Sequence, residues 1–159
     1  MSLMCCDSPN LGLVPAVMSL GGHGTANMTG NIIPAEMAII SKPWRSFEDA
    51  MNFREIYLRV LPLIQFTYSR VNPVPVKSLA KALGLPAGDL RKPYQNLPEA
   101  ELRRGVEIVE MLGLMGKYNF HVNEELSGRS ERGQRILPEE PKTSADLIPS
   151  AQSGKCFIG

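Results

Sequence analysis

The sequence has no long hydrophobic run. No apolar stretch in its 159 residues approaches the roughly 18 residues that a helix needs to span a bilayer. The first ten residues, MSLMCCDSPN, also lack a basic segment followed by an apolar one, as a secretory signal would require. We therefore predict a cytoplasmic protein that has no membrane partner.

The sequence also lacks an excess of charge of either sign. The chain has 17 basic and 16 acidic residues, which gives a formal net charge of +1, and neither sign is gathered into a block. Such a balance excludes the electrostatic footprint of a nucleic-acid partner. The one arginine-rich stretch, GRSERGQR, contains a glutamate and is typical of a solvated tail.

Cysteine is scarce. The chain has only Cys5, Cys6 and Cys156, an odd number that suits a reducing compartment better than a disulfide framework. Adjacent cysteines also rarely meet the geometry of a disulfide. The cysteines and the two histidines show no CxxC or HxxxH spacing, so we predict no metal site.

Helical periodicity dominates what is present. A hydrophobic fraction of 43% is enough for a core, and apolar residues recur at three- and four-residue spacing. Pro15 predicts a kink or a late start in the first helix. The predicted helices begin after Ser8-Pro9, at Pro34, after Ser46, near Pro75 and at Pro98, and the first, fourth and fifth end at Gly21, Gly84 and Gly113.

The third predicted helix is the clearest. Ser46 and Asp49 form a capping-box pattern at its start. Pro62 predicts a kink, not an end, because the apolar period continues beyond it. The width of the apolar stripe predicts burial on more than one side. The stripe comprises Phe47, Ala50, Met51, Phe53, Ile56, Tyr57, Leu58, Val60, Leu61, Ile64 and Tyr68.

The segment GGHGTANMTGN, residues 21–31, has no helical period. Its glycines could form a phosphate loop, its histidine could be a catalytic or metal-binding group, or it could contain a short strand. A phosphate loop would have to lead from a strand into a helix N-terminus, whereas this segment follows a helix. A single short strand needs a partner, so we expect the chain to be part of something larger.

A set of short motifs follows in order along residues 9–116. They are GGHG at 21–24, Asn31, LPL at 61–63, NPVPVK at 72–77, LGL at 83–85, LRKP at 90–93 and GL at 113–114. In order and spacing, they resemble the C-terminal motifs of the dihydrodipicolinate synthase / N-acetylneuraminate lyase family.

The resemblance implies a (β/α)8 TIM barrel followed by C-terminal helices. Such a barrel needs about 250 residues, so this chain is expected to be a mostly α-helical C-terminal fragment with one or two short strands. Residues 1–44 would hold the last β/α units, 45–118 a C-terminal helical region and 119–159 a disordered tail. Within the first part, strand seven would cover residues 2–6, helix seven 10–20, strand eight 24–27 and helix eight 35–40.

The resemblance also implies Schiff-base chemistry on pyruvate or another 2-oxo acid, without metal or organic cofactor. In this lyase and aldolase chemistry a lysine amine attacks the keto group and a tyrosine relays protons. The family carries both residues before strand seven, so we expect no catalytic residue here and no activity of the chain alone. KYNF at 117–120 contains Tyr-Asn but lacks the proline of the family's YNxP strand. The parent is expected to be a homo-oligomer.

The resemblance implies that one part of the family's functional site lies on this chain. The end of strand eight lines the substrate pocket in the family, which makes Ala26 and Asn27 the predicted substrate-binding residues. Lys77 matches a lysine of the family's C-terminal region, not the imine-forming one. His23 would lie in the turn that enters strand eight, at the barrel end opposite to the chemistry.

Two hypotheses follow. The chain is either a C-terminal fragment of a Schiff-base lyase or aldolase, or a helical interaction module that docks on or completes a family barrel. In the second case its barrel-facing side would be an exposed apolar patch.

Overall fold

A computed structural model describes residues 2–6 and 12–122, all within one compact unit, Met1–Arg129. The predicted helix start at Ser8-Pro9 lies outside the described residues. Mostly helical structure with two short strands was predicted, and this is confirmed. The elements are β1 Met4–Cys6, α1 Leu13–Ser19, β2 Gly24–Ala26, a 3-10 turn Thr29–Asn31, α2 Pro34–Ile40, α3 Phe47–Thr67, α4 Val74–Ala82, α5 Glu99–Met111 and α6 Leu114–Tyr118.

The N-terminal part is a β-α-β unit. β1 and β2 pair in parallel, with Met4 opposite Gly24 and Cys6 opposite Ala26. α1 connects them and buries Val14 and Met18. The late start predicted for this helix is confirmed, because α1 begins at Leu13. Pro15 therefore lies in the first turn, where a proline is tolerated because amide hydrogens have no intrahelical acceptor there. Gly21, with a φ of 82°, follows the helix end, as predicted.

α3 is the longest described helix, and its predicted cap is confirmed. The Ser46 hydroxyl accepts a hydrogen bond from the Asp49 amide at 3.1 Å, and the Asp49 carboxylate accepts one from the Arg45 amide at 3.0 Å. The helix continues through Pro62 to Thr67, as its apolar period predicts.

α3 was predicted to be buried on more than one side, but three residues of its apolar stripe are exposed. Phe47 is 81% exposed, Met51 42% and Leu58 56%. They lie on the side of the helix turned away from the core, whereas Val60, Leu63 and Ile64 are fully buried. Since other helices cover only one side of α3, the apolar period alone overestimated its burial.

Replacing Ser46 by alanine tests this cap. Lys42, the Arg45 amide and Ser46 together lower the pKa of Asp49 to about 2. Because the folded-state pKa is the lower one, the stabilisation from Asp49 is present above pH of about 4 and is lost as the pH falls towards 2. We expect Ser46→Ala to lower the free energy of unfolding by about 1 kcal/mol and to raise the pKa of Asp49 in an NMR titration. Ser69→Ala, beyond the other end of α3, is the control, and an unchanged Asp49 pKa in Ser46→Ala would contradict the role of the cap.

The three later helices close the core. α4 begins at Val74, which places Pro75 in its first turn as predicted, and it buries Val76 and Leu79. α5 follows Pro98 with Glu99 and Glu101 in its first turn, where their charges favour the helix dipole, as predicted. α6 was not predicted, because the last predicted helix ends at Gly113 and no separate helix was expected after it.

The described structure extends four residues beyond α6. Phe120 lies in this segment, is 7% exposed and belongs to the core. The rest of the predicted tail, residues 123–159, lies outside the described residues, and the domain boundaries stay predictions. None of the described helices combines the length and the hydropathy needed to cross a membrane.

Candidate functional site

The carboxyl ends of β1 and β2 lie side by side. Cys6 and Ala26 are the last residues of the two strands and face each other across the parallel register. The carboxyl edge of a parallel sheet is where barrel enzymes carry their chemistry. The structure thus places the predicted substrate-binding residues Ala26 and Asn27 at this edge. Ala26 is exposed and Asn27 is half-buried.

The Asn27 side chain shapes the turn that follows β2. Its Oδ1 accepts a hydrogen bond from the Gly30 amide at 2.9 Å, and its Nδ2 donates to Thr25 Oγ1 at 3.1 Å. The Thr25 hydroxyl in turn lies 2.5 Å from the Ser41 hydroxyl at the end of α2. The amide of Asn27 therefore holds the turn, the end of β2 and the end of α2 together.

A groove of about 510 Å³ opens beside this turn. Lys77 is the only residue with an ionisable side chain among the described residues that line the groove, and its Nζ donates to the Asp89 carbonyl at 3.1 Å. One ammonium and three amides can bind an anionic group, but this lining offers no general base. The lining residues are Asn27, Met28, Asn31, Asn72, Pro73, Val76, Lys77, Ala80, Leu85, Pro86 and Ala87.

His23 lies at the opposite end of the strands. Its backbone amide donates to the Leu3 carbonyl at 2.7 Å, and its Nδ1 accepts a hydrogen bond from the Leu3 amide at 3.1 Å. The imidazole thus extends the pairing of β1 and β2 by one residue at their amino ends. This contact explains a histidine between glycines without a catalytic role.

The two adjacent cysteines do not share one face of the sheet. Cys5 and Cys6 are consecutive in β1, so their side chains leave opposite faces of the strand. Among residues 2–6 and 12–122, no group of three or more histidine, cysteine, aspartate or glutamate side chains could hold a metal ion.

Sequence analysis missed a buried carboxylate. Glu36 of α2 is 1% exposed and receives hydrogen bonds from Lys117 Nζ at 2.6 Å and from the Tyr118 hydroxyl at 2.5 Å. The Arg59 guanidinium lies 3.5 Å from the same carboxylate. Tyr118 also accepts a hydrogen bond from the Ala35 amide at 3.1 Å, so the cluster ties α6 to the start of α2.

The cluster shifts the pKa of two acidic groups, the buried Glu36 and the half-buried Tyr118. Burial by itself raises the pKa of Glu36, but the hydrogen bonds from Lys117 and Tyr118 outweigh burial and hold it below its ordinary value. Burial and the hydrogen bond to Glu36 raise the pKa of Tyr118 to about 12. At neutral pH the site is therefore a carboxylate held by a cation and a neutral phenol. KYNF at 117–120 supplies these partners, but its sequence contains no signal that points to Glu36.

The comparisons with known proteins agree with the geometry. The model of the dihydrodipicolinate synthetase family matches residues 11–112. The chain is 31% identical over 105 residues to a 4-hydroxy-tetrahydrodipicolinate synthase of Methanosarcina acetivorans, covering 65% of this chain and 35% of the relative. The corresponding protein of Methanocaldococcus jannaschii is 31% identical over 108 residues, covering 68% and 37%.

Solved structures give the same result. A crystal structure of a dihydrodipicolinate synthase superposes with a TM-score of 0.57 at 29% identity, over 70% of this chain and 37% of that one. The enzyme from Aquifex aeolicus gives 0.57 at 25% identity, over 70% and 36%. The chain thus spans a little over a third of the length of the relatives it matches.

Proposed function

Because the chain belongs to the dihydrodipicolinate synthetase family, we propose that it is the C-terminal part of a Schiff-base lyase or aldolase of the 4-hydroxy-tetrahydrodipicolinate synthase type. The observation that carries the proposal is the in-register parallel pairing of β1 and β2 around α1, followed by α2. This order is that of two consecutive β/α units. Two strands cannot close a barrel of eight, so the remaining units would come from further chain.

The groove supports a role as one wall of the substrate site. It opens next to Asn27, which directly follows the carboxyl end of β2. In the complete barrel, the backbone at Ala26 and the turn held by Asn27 would border the bound 2-oxo acid. The Lys77 ammonium and the Asn72 amide would add positive and donor groups near the mouth of that site.

The reaction needs groups that the described lining does not provide. A lysine amine adds to the keto carbon of pyruvate, water leaves, and the protonated imine accepts the electron pair of the C–H or C–C bond that breaks. The resulting enamine returns this pair to form a new carbon–carbon bond or to take up a proton. A second group must move the protons. Lys77 is half-buried and bound to the Asp89 carbonyl, and no described base lies in the lining. We therefore infer that the 159-residue chain is inactive alone. The Schiff-base reaction itself uses neither a metal nor an organic cofactor.

Trapping with borohydride tests this inference. We expect no mass increase when the chain is incubated with pyruvate and sodium borohydride, because a reactive lysine needs burial or a cationic neighbour to lower its pKa. A complete family member treated in parallel is the positive control. A stable adduct on the chain that disappears in Lys77→Met would overturn the assignment of Lys77 as non-catalytic, and an adduct on any other lysine would overturn the inactivity.

A second candidate is a module that completes a barrel supplied by a separate chain. It is favoured by the sheet itself, in which each described strand pairs along one edge only, and by the 58% exposure of Met4 in β1. Co-expression with a chain holding the first six β/α units distinguishes the candidates. Co-purification with restored adduct formation supports the module, whereas two chains that never associate argue for a fragment.

A further inference from the structure

A second cavity, here called the α3–α5 cleft, lies between α3 and α5. Its volume is about 200 Å³, and none of its lining residues lines the groove beside Asn27. Residues at positions i, i+3, i+4 and i+7 share one face of a helix. The α3 side of the cleft follows this spacing with Pro62, Gln65, Phe66 and Ser69, and α5 supplies Glu101, Arg104 and Ile108.

The floor of the α3–α5 cleft is apolar. Phe66 is 7% exposed, and its ring lies directly against Gly105 of α5, where a Cβ would collide with it. A glycine inside a helix lowers the stability of that helix relative to alanine, but here it allows this close approach. Pro62 and Ile108 are half-buried and line the same cleft. The floor therefore offers a packed aromatic and aliphatic surface to an apolar group.

The polar side chains of the α3–α5 cleft have unused hydrogen-bonding capacity. Gln65, Ser69 and Arg104 are exposed, and within residues 2–6 and 12–122 no side-chain hydrogen bond or ion pair engages them. The guanidinium of an arginine presents its donors in a planar fork that matches a carboxylate. The amide and the hydroxyl add two further donors, so the cleft can bind an anionic oxygen group.

The one carboxylate that lines the cleft is already paired. Arg70 donates to both oxygens of Glu101, at 2.6 Å and 3.2 Å. Because this pair carries no net charge, Arg104 leaves the cleft with one net positive charge. The balance favours an anionic ligand over a neutral or cationic one.

We propose that the α3–α5 cleft binds a small organic anion in which one carboxylate is joined to a short apolar body. Arg104 donates two parallel hydrogen bonds to the carboxylate, and the apolar body covers the Phe66 ring. The cleft is smaller than the roughly 300–1,000 Å³ of sites for drug-sized ligands, so the ligand is smaller than a nucleotide or an extended peptide. This site is independent of the substrate site proposed above.

Titration followed by NMR tests the ligand class. Sodium benzoate and sodium butyrate are the probes, added to the isotope-labelled 159-residue chain. We expect saturable shifts of the Ser69 backbone amide, the Gln65 side-chain amide and the Arg104 Nε–H group, with a Kd of about 1 mM for benzoate. Benzamide keeps the ring without the charge, and acetate keeps the charge without the apolar body. Each should bind at least about fivefold more weakly than benzoate.

Arg104→Gln tests the binding group. The substitution removes the cation but keeps a long polar side chain that favours a helix, and we expect the affinity for benzoate to fall at least about fivefold. Arg54→Gln is the matched control, because Arg54 is an exposed arginine of α3 outside the cleft. Its affinity for benzoate should equal that of the unchanged chain, and circular dichroism checks that both variants keep their helices.

Four outcomes would overturn the proposal. Two concern the unchanged chain, so they do not depend on how a variant folds: the absence of a saturable shift at these residues with both probes, and equal affinities for benzoate and benzamide. The other two are an Arg104→Gln chain that binds benzoate as tightly as the unchanged chain, and an equal loss of affinity in Arg104→Gln and Arg54→Gln.

Discussion

Glu36→Ala is expected to lower the free energy of unfolding by about 2 kcal/mol. Glu36 is 1% exposed and joins α2 to α6 through Lys117 and Tyr118. The side chains of Lys117 and Arg59 are 48% and 47% exposed and stay partly hydrated, so the loss comes from the missing acceptor and from the space that the side chain filled. The Tyr118 hydroxyl would lose its acceptor, and a cavity would remain between the two helices.

Chemical denaturation measures this loss, and two variants control it. Glu36→Gln keeps the volume and an acceptor for Tyr118, so it should cost less than the alanine variant. Glu107→Ala removes an exposed carboxylate of α5 and should change stability by less than about 0.5 kcal/mol. Equal stabilities for Glu36→Ala and Glu107→Ala would show that the cluster does not hold α6.

The cluster also predicts the pH dependence of stability. The folded-state pKa of Glu36 is lowered, so its stabilisation is present above the unfolded pKa of about 4.3 and is lost as the pH falls through the folded value. The folded-state pKa of Tyr118 is raised, so its contribution is present below pH of about 10 and is lost as the pH rises towards 12. Both arms should be shallower in Glu36→Ala than in the unchanged chain.

Gly22→Ala is expected to lower the free energy of unfolding by about 2 kcal/mol, the cost of overpacking a rigid site. A Cβ at Gly22 would lie 2.7 Å from the Val17 carbonyl oxygen and 2.8 Å from Val17 Cγ1. The backbone there cannot easily retreat, because the Gly22 amide donates to that same carbonyl at 2.9 Å. The clash would push α1 away from the start of β2.

Gly116→Ala is the matched control for this substitution. Gly116 lies in α6, and a Cβ there would meet nothing within 4 Å. Alanine is the better helix former, so this variant should gain up to about 1 kcal/mol. Thermal unfolding measures the stability of both variants. A Gly22→Ala chain as stable as the unchanged one would show that the α1–β2 junction is loosely packed.

The elements that sequence analysis predicted well depend on neighbouring residues. Ser46 and Asp49 are three residues apart and cap α3 by contacts within one turn. Gly21 follows α1 because its positive φ costs glycine no steric clash. Pro98 marks the start of α5 for an equally local reason, since a proline at that position removes only an amide hydrogen that has no helical acceptor.

The features that sequence analysis missed depend on residues far apart in the chain. Glu36 meets its partners Lys117 and Tyr118 across 81 and 82 positions, and no spacing rule links them. Burial of α3 on more than one side was predicted, whereas Phe47, Met51 and Leu58 are exposed. A helical period shows which residues share a face and not whether another element covers that face. Asn27 was predicted at the strand end from the family resemblance, but its hydrogen bonds to Thr25 and Gly30 became visible only in the fold.

By itself, the sequence determined the family, the order of the elements up to α5 and most of the helix ends, because these follow from motifs and from contacts within a few residues. Only the tertiary structure decided that β1 and β2 pair in register, that Glu36 is buried with its counter-charges and that Phe47, Met51 and Leu58 face outward. The reason is physical. Burial and ion pairing depend on which residues far apart in sequence come together in the fold. Several elements contribute to the free energy of these contacts, and no local sequence pattern links those elements.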